Sequence, residues 1–265
     1  MTEDRDLRLT GERPIKGSTP DSLLAFHEAG YREVASRLGP GAVLDVGCGV
    51  GEETATLAGP DRYLVGVDYS VETTIAARSR AGSAGPAFAG MDGTRLAFRD
   101  RSFDAVCSSH IVEHFTAPET HVAELARVLR PGGVAFVITP NRPADFENPF
   151  HVHLFEAVDL ASLLRTFFGE VEVLGLEGDE AVHADFARRR AKGERLLRLD
   201  RFRLRHRVPR SWYVWAYERA LPVVYRLLGP ESTGIGSGLD ASHFFLAPEI
   251  SPATPGLFAV ARAPR

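Results

Sequence analysis

Cysteine is nearly absent from this chain: Cys48 and Cys107 are the two thiols among 265 residues. Two thiols cannot build a disulfide framework, and neither stands in the paired spacing of a zinc ribbon. Long apolar runs are missing as well. No stretch of about 18 apolar residues free of charge occurs, so a membrane-spanning helix is not expected. The opening residues MTEDRDLRLTGER are polar and lack the apolar core of an export signal, which makes a cytoplasmic protein the expectation. What is present suits a globular fold. Hydrophobic residues make up 44% and there are 16 phenylalanines, enough for a sizeable core and against wholesale disorder. At about 150 residues per domain, the length allows one to two domains. The formal charge of -4 conceals an uneven spread. Between Arg188 and Arg210 lie eleven cations opposed only by Glu194 and Asp200, a basic segment on an acidic body.

From residue 42 to about 176, apolar runs alternate with amphipathic segments, the pattern of repeated βα units. Strands are expected at 42–46, 63–68, 87–89, 103–108, 134–139 and 171–174, with Leu257 to Val260 as a final edge strand. Helices are expected from near Glu52, over 71–80, over 123–129 up to Pro131-Gly132-Gly133, and over 158–168. Short strands joined by crossover helices make a parallel sheet with right-handed connections. Two parts fall outside that rhythm. Residues 1–38 form a leader with one helix over 23–38, and residues 177–255 form a mostly helical insertion before the last strand. The core is therefore expected to comprise 39–176 and 256–265. A second helix of the insertion, 212–228, carries Trp212, Tyr213, Trp215, Tyr217 and Tyr225 together with Glu218, Arg219 and Pro222. That mixture argues against a membrane span. It fits packing on the body, a lid over a site, or a homodimer contact.

The strongest signal is Leu44-Asp45-Val46-Gly47-Cys48-Gly49-Val50-Gly51, a strand running into three alternate glycines ahead of a helix. Glycines there permit a tight turn and close approach of a ligand to the backbone. Asp68 ends the next strand, where a carboxylate accepts hydrogen bonds from ribose hydroxyls. Asp92-Gly93 follows the third strand, where a carboxylate and an amide can read an adenine edge. The glycine spacing does not fit the dinucleotide fingerprint, and no phosphate-cradling lysine motif is present.

These residues, with Val67-Asp68, Met91-Asp92, Phe103-Asp104-Ala105-Val106 and Val128-Leu129-Arg130-Pro131-Gly132-Gly133, resemble class I S-adenosylmethionine-dependent methyltransferases. The motifs recur in order over residues 42–139. The resemblance implies an α/β, Rossmann-like sheet of seven strands with helices on both faces and an antiparallel last strand. It also implies S-adenosylmethionine as cofactor. Asp45, Gly47, Cys48 and Gly49 would hold its methionyl part, Asp68 the ribose, Tyr69 and Asp92-Gly93 the adenine, and Ser109 would line the pocket near the sulfonium. Cys48 is then a small residue in a tight turn and Cys107 a buried strand residue, rather than reactive thiols.

After the fourth strand comes Ser109-His110-Ile111-Val112-Glu113-His114. On a helix, His110, Glu113 and His114 would share a face. Alone, His-x-x-Glu-His is also a zinc-peptidase motif, but its place at a strand end in register with the other motifs argues against that. The segment resembles the Glu-His of small-molecule O-methyltransferases, including ubiquinone-biosynthesis enzymes and a mycobacterial polysaccharide sugar methyltransferase. In the ubiquinone group the region binds a divalent metal through two carboxylates and a histidine. Here His110 replaces the first carboxylate, which leaves magnesium an open question. A hydroxyl acceptor must lose a proton, and the resemblance makes His114 the base, a role suited to histidine near neutral pH. Packing or capping beneath the site is the alternative for His114, Glu113 and His110.

Leu9-Thr10-Gly11-Glu12-Arg13, with His27 and Tyr31, and Asn148-Pro149-Phe150-His151 look like the same sugar-methyltransferase group. Arg13 would then meet a carboxylate, and His151 and His153, two apart, would share one side of an extended segment facing the acceptor. Trp212, Trp215, Tyr217, His243, Phe244 and Phe245 are available to line an acceptor pocket. The basic segment is either a solvated helix or an attractor for an anionic small molecule. Nucleic acid is not expected on so acidic a body without an attached RNA-binding module. No Asn/Asp-Pro-Pro-Phe/Tyr follows the fourth strand, which favours oxygen over nitrogen acceptors. The expectation is O-methylation of a sugar or glycosylated secondary metabolite. N-methylation of an amino sugar or other small amine is the alternative.

Overall fold

A computed structural model describes residues 19–145, 150–197, 212, 219 and 236–265. Fourteen elements alternate along it: α1 (Asp21–Ala35), β1 (Gly41–Val46), α2 (Glu52–Thr56), β2 (Arg62–Asp68), α3 (Val71–Ala81), β3 (Ala87–Gly90), β4 (Phe103–Ser109), α4 (Pro118–Val128), β5 (Leu129–Pro140), α5 (Ala157–Arg165), β6 (Phe168–Gly178), α6 (Glu180–Leu197), β7 (Phe244–Ala247) and β8 (Gly256–Pro264). The strands form one sheet in the order β3-β2-β1-β4-β5-β8-β6-β7. Pairing is parallel from β3 through β5, whereas β8 runs antiparallel to both β5 and β6. This is the α/β sheet expected from the βα rhythm, in the Rossmann-like form that the resemblance implies.

The central strands bury both faces, which is why they read as continuous apolar runs rather than alternations. Along β5, Ala135 and Val137 join the cluster built with Val122, Leu125 and Val128 of α4 and Leu160 and Leu164 of α5. Their neighbours Phe136 and Ile138 point to the opposite face. There Phe136 lies 6.1 Å from Phe258 of β8, centroid to centroid, and Arg37, just beyond α1, sits over the Phe258 ring. Period-two alternation thus places helices on both sides of one sheet.

Three expectations about this architecture are corrected. Among the described residues the sheet has eight strands, because the short β7 is added beside β6. The last strand is not an edge: β8 lies between β5 and β6, and its six consecutive buried residues from Gly256 reflect two covered neighbours. Finally, Pro131-Gly132-Gly133 does not separate helix from strand. Strand β5 already begins at Leu129, opposite Phe103, and the register shifts before Ala105 pairs with Val134. The extra residues form an irregularity in which Gly132 takes φ 83 and Pro131 needs no ladder donor.

The chain divides into two compact units: Met1–Phe26 with Phe146–His151 and Gly178–Phe245, and His27–Asp145 with Val152–Glu177 and Leu246–Arg265. The second unit carries most of the sheet. In the first, Ser22 donates to Asp185 of α6 at 2.6 Å, and Arg189 donates to Ser22 at 3.2 Å. Asp179 Oδ1 accepts from the Ala181 and Val182 amides at the start of α6, while its Oδ2 lies 2.7 Å from His243 Nδ1. Phe244 is buried, 5.6 Å from the Phe26 ring, and Phe245 is about half exposed. Arg13, Trp215, Tyr217 and most of the basic segment and of the expected 212–228 helix lie outside the described residues.

Candidate functional site

The sheet order reverses at β1, which has β2 on one side and β4 on the other. In open α/β sheets, ligands bind beyond the carboxyl ends of the strands at such a switch point. The glycine loop, the Asp68 and Asp92 loops and the His110–His114 segment all leave strands at that end.

The glycine loop is held by the neighbouring strand. The amides of Gly47 and Cys48 both donate to the Val67 carbonyl, at 2.8 and 3.0 Å, and the Gly49 amide donates to Asp68 Oδ2 at 3.1 Å. Gly47, Gly49 and Gly51 all have positive φ, of 84, 52 and 78. Their surroundings differ. A β-carbon at Gly51 would lie 2.6 Å from the Phe88 ring, and one at Gly47 would lie 3.0 Å from Ile111, whereas nothing lies within 4 Å of one at Gly49. Gly51 is therefore required for packing of the loop on β3, and Gly49 leaves the backbone open to a ligand. Cys48 packs against Ala77 and Phe88, and burial pushes its thiol well up. Cys107 is wholly buried in β4 and shifted up by the same cause.

Asp45 is almost completely buried below this loop. Thr54 donates to it at 2.6 Å, and the Tyr31 hydroxyl donates to its two oxygens at 3.0 and 3.2 Å. Burial raises its carboxyl to about 7, with the Thr54 and Tyr31 hydrogen bonds working in the opposite direction. The two donors come from α1 and α2, so this carboxylate joins both helices to the strand that launches the loop.

Asp68 accepts from Ser70 N at 2.9 Å as well as from the loop, and Tyr69 beside it is 84% exposed. Asp92 Oδ1 accepts from Thr94 N and Oγ1, which lowers its carboxyl from the usual range. Gly93 is buried next to it, and a side chain there would press on Phe115 and His121. At the end of β4, Ser109 is buried and its Oγ has no hydrogen-bond partner among the described residues.

The His-x-x-Glu-His segment is not a helix. Strand β4 ends at Ser109, His110 takes φ 55, and one 3-10 turn spans Val112–His114. The shared helical face expected for the three residues, and with it the peptidase reading, does not form. Tertiary folding brings them together differently. His110 Nδ1 lies 3.6 Å from Glu113 Oε1, and the His27 ring is 4.0 Å from the His110 ring. Glu113 is buried; Thr139 donates to its Oε2 at 3.0 Å, and the amides of Val152 and His153 donate to its carbonyl. A carboxylate oxygen of Glu113 and a ring nitrogen of half-buried His114 lie within 4.8 Å of each other, close enough to ligate one cation. His153 Nε2 donates to the Thr116 carbonyl at 3.1 Å, so it fastens the chain after the turn. His151 is half-buried and belongs to the first compact unit.

Three contributors were not picked out from the sequence as structural partners of the site: Tyr31 and Thr54 on Asp45, and His121 of α4. The signal for His121 was its position on the apolar stripe with Leu125 and Val128. A polar side chain on such a stripe needs an internal partner.

Residues 44–137 match the methyltransferase-domain family. A probable S-adenosylmethionine-dependent methyltransferase of Mycolicibacterium smegmatis is 35% identical over 173 residues, covering 63% of this chain and 66% of that protein. The O-methyltransferase cnsE of Penicillium expansum is 37% identical over 151 residues, covering 51% of this chain and 55% of that protein. The matched regions thus span just under two thirds and just over half of these relatives. A solved S-adenosylmethionine-dependent methyltransferase of Thermotoga maritima shares the fold, with a TM-score of 0.57 at 16% identity over 90% of this chain and 89% of that one. Residues 44–137 thus carry a methyltransferase domain on the class I methyltransferase fold, and the relatives named as S-adenosylmethionine-dependent methyltransferases imply S-adenosylmethionine as its cofactor. The residues present fit that group. Gly49 leaves open space above a left-handed backbone, and the buried Ser109 hydroxyl offers an unused donor and acceptor. Among the described residues no helix is long and apolar enough to cross a membrane.

Proposed function

We propose that this protein methylates a hydroxyl group of a small molecule, a sugar or a glycosylated secondary metabolite, with His114 as general base. The observation that carries the reading is the placement of half-buried His114 on the turn after β4, within 4.8 Å of the fixed carboxylate of Glu113. The O-methyltransferase name of the Penicillium expansum relative supports an oxygen acceptor. When bound, S-adenosylmethionine supplies an electrophilic methyl group on a sulfonium. Gly47, Cys48 and Gly49 hold the methionyl part with Asp45 beneath them. Asp68 takes the ribose, Tyr69 and Asp92-Gly93 the adenine, and Ser109 lines the pocket near the sulfonium.

The chain's own task is then positioning and proton removal. His114 accepts the acceptor hydroxyl's proton at a ring nitrogen, and the nearby Glu113 carboxylate favours the imidazolium that results. His110, Glu113, His151, His153 and Arg13 are the proposed acceptor contacts. The basic segment from Arg188 favours an acceptor of negative charge. The Glu113–His114 pair is also where a divalent metal such as magnesium would first be sought. The remaining elements of the reading are a cytoplasmic location and a homodimer through the 177–255 insertion.

The test is His114→Ala with a hydroxylated acceptor in a reconstituted assay. The expected result is a loss of about 10²- to 10⁴-fold in kcat that is partly recovered at high pH, with S-adenosylhomocysteine affinity unchanged. An unchanged rate in a folded, cofactor-binding variant would eliminate the base role.

A further inference from the structure

One stripe of α4 grips the loop that follows β3 along its backbone. His121, Glu124 and Arg127 stand three residues apart and share a helix face. His121 Nδ1 lies 2.8 Å from the Gly93 carbonyl. Glu124 accepts from the Leu96 amide at 2.6 Å. Arg127 donates to the carbonyls of Leu96 and Phe98 at 2.9 and 2.8 Å, and to Asp100 at 2.8 Å. The loop running from Asp92 to Asp100 is thus fixed group by group.

His121 differs from the other two in being completely buried. A carbonyl can only accept, so Nδ1 carries the proton, and Nε2 accepts from the Ser108 hydroxyl at 2.9 Å. The ring also stacks on Phe115 at 4.6 Å. Burial pushes its pKa down to about 4, which keeps the imidazole neutral in this tautomer with both nitrogens satisfied. The ring therefore connects the end of β4 to the Gly93–Thr94 peptide, one residue beyond Asp92. The backbone at Gly93 passes close to both rings, since a β-carbon there would lie 3.1 Å from Phe115 and 3.3 Å from His121.

We infer that His121 is a positioning residue for the cofactor: through the Gly93 carbonyl it sets the Asp92 carboxylate against the adenine amino group. The inference rests on the adenine role given to Asp92 above. Asp92 Oδ1 is committed to Thr94, so the carboxylate moves with its backbone, and the backbone is anchored at Gly93. Loosening that anchor lowers the recognition of the amino group without removing any atom that touches the ligand.

The experiment compares calorimetric affinities for S-adenosylhomocysteine and its 6-deamino purine analogue. The proteins are the wild type, His121→Ala, His121→Asn and His121→Gln, with ligand-free melting curves for each. Asparagine places an amide donor near the Nδ1 position, whereas glutamine places it near Nε2. The wild type is expected to prefer the amino ligand about tenfold or more, the worth of a hydrogen bond to a charged group. His121→Ala and His121→Gln should reduce that preference to about threefold or less, and His121→Asn should restore most of it. If alanine prevents folding, the asparagine–glutamine contrast alone decides. A preference that survives in the glutamine variant while both affinities and the melting temperature fall together would make His121 merely structural and overturn the inference. A wild type with no preference would overturn the Asp92 reading itself, and this inference with it.

Discussion

Replacing Gly51 by alanine is expected to destabilise the protein by about 2–5 kcal/mol. Two terms contribute. The residue has φ 78, where an L side chain costs about 1–2 kcal/mol. The new methyl would lie 2.6 and 2.9 Å from Phe88 ring atoms and 3.1 Å from the Ala77 β-carbon. Phe88 is itself buried, and a β-carbon at Gly66 would meet the same ring at 2.6 Å, so the ring has little freedom to move aside. Overpacking of that kind costs about 1–3 kcal/mol. Gly49→Ala is the matched control: its φ is 52, and no atom lies within 4 Å of the new methyl. It should cost only the conformational term, about 1–2 kcal/mol. Its added methyl instead occupies space assigned to the cofactor. Urea denaturation of the two variants, followed by titration with S-adenosylhomocysteine, separates the effects. Gly51→Ala should lose more stability, and Gly49→Ala should lose affinity out of proportion to its stability. Equal destabilisation would refute the steric assignment, and wild-type affinity in Gly49→Ala would refute the open backbone as the ligand-facing surface.

The buried Asp45 and His121 should have opposite effects on the pH dependence of stability. Asp45 titrates near 7 in the fold against 3.8 unfolded, so its contribution falls as pH rises from about 4 to about 7. His121 titrates near 4 against 6.5, so its contribution rises over nearly the same interval. Asp45→Asn should expose a net rise in denaturation free energy between pH 4 and 6.5 compared with the wild type; an identical slope in both proteins would contradict the burial of Asp45. Tyr31→Phe removes one of the donors to Asp45 and should cost about 1–3 kcal/mol in urea denaturation, with Thr54→Val giving a similar loss. A neutral outcome for both would mean that the carboxylate needs neither partner. Arg127→Ala should increase hydrogen exchange across residues 96–100 while leaving β4 and β5 protected. Unchanged exchange there would show that the loop holds itself.

The βα rhythm was legible because burying a parallel strand on both faces favours a mainly apolar run, as in Ala42 to Val46 and Phe103 to Ser108, each broken by a single aspartate. The glycine loop was legible because positive φ selects glycine locally, without reference to anything distant. The His110–His114 segment misled for a related reason. Its spacing matches a helix, but its first residue, His110, is left-handed and the chain makes only a single 3-10 turn. Helical spacing says which residues would share a face, not whether the helix forms.

Local pattern alone thus determined the α/β class, the strand-to-glycine turn, the acidic residues closing the next two strands and the histidines after the fourth. Only the tertiary structure decided that β8 is inserted between β5 and β6, that Tyr31 and Thr54 converge on Asp45, and that His121 reaches Gly93 and Ser108. Each of those outcomes depends on a partner in a different element or loop of the fold. A buried polar group must find whatever donor or acceptor the fold brings beside it, and a strand's neighbours are set by competition among all the others.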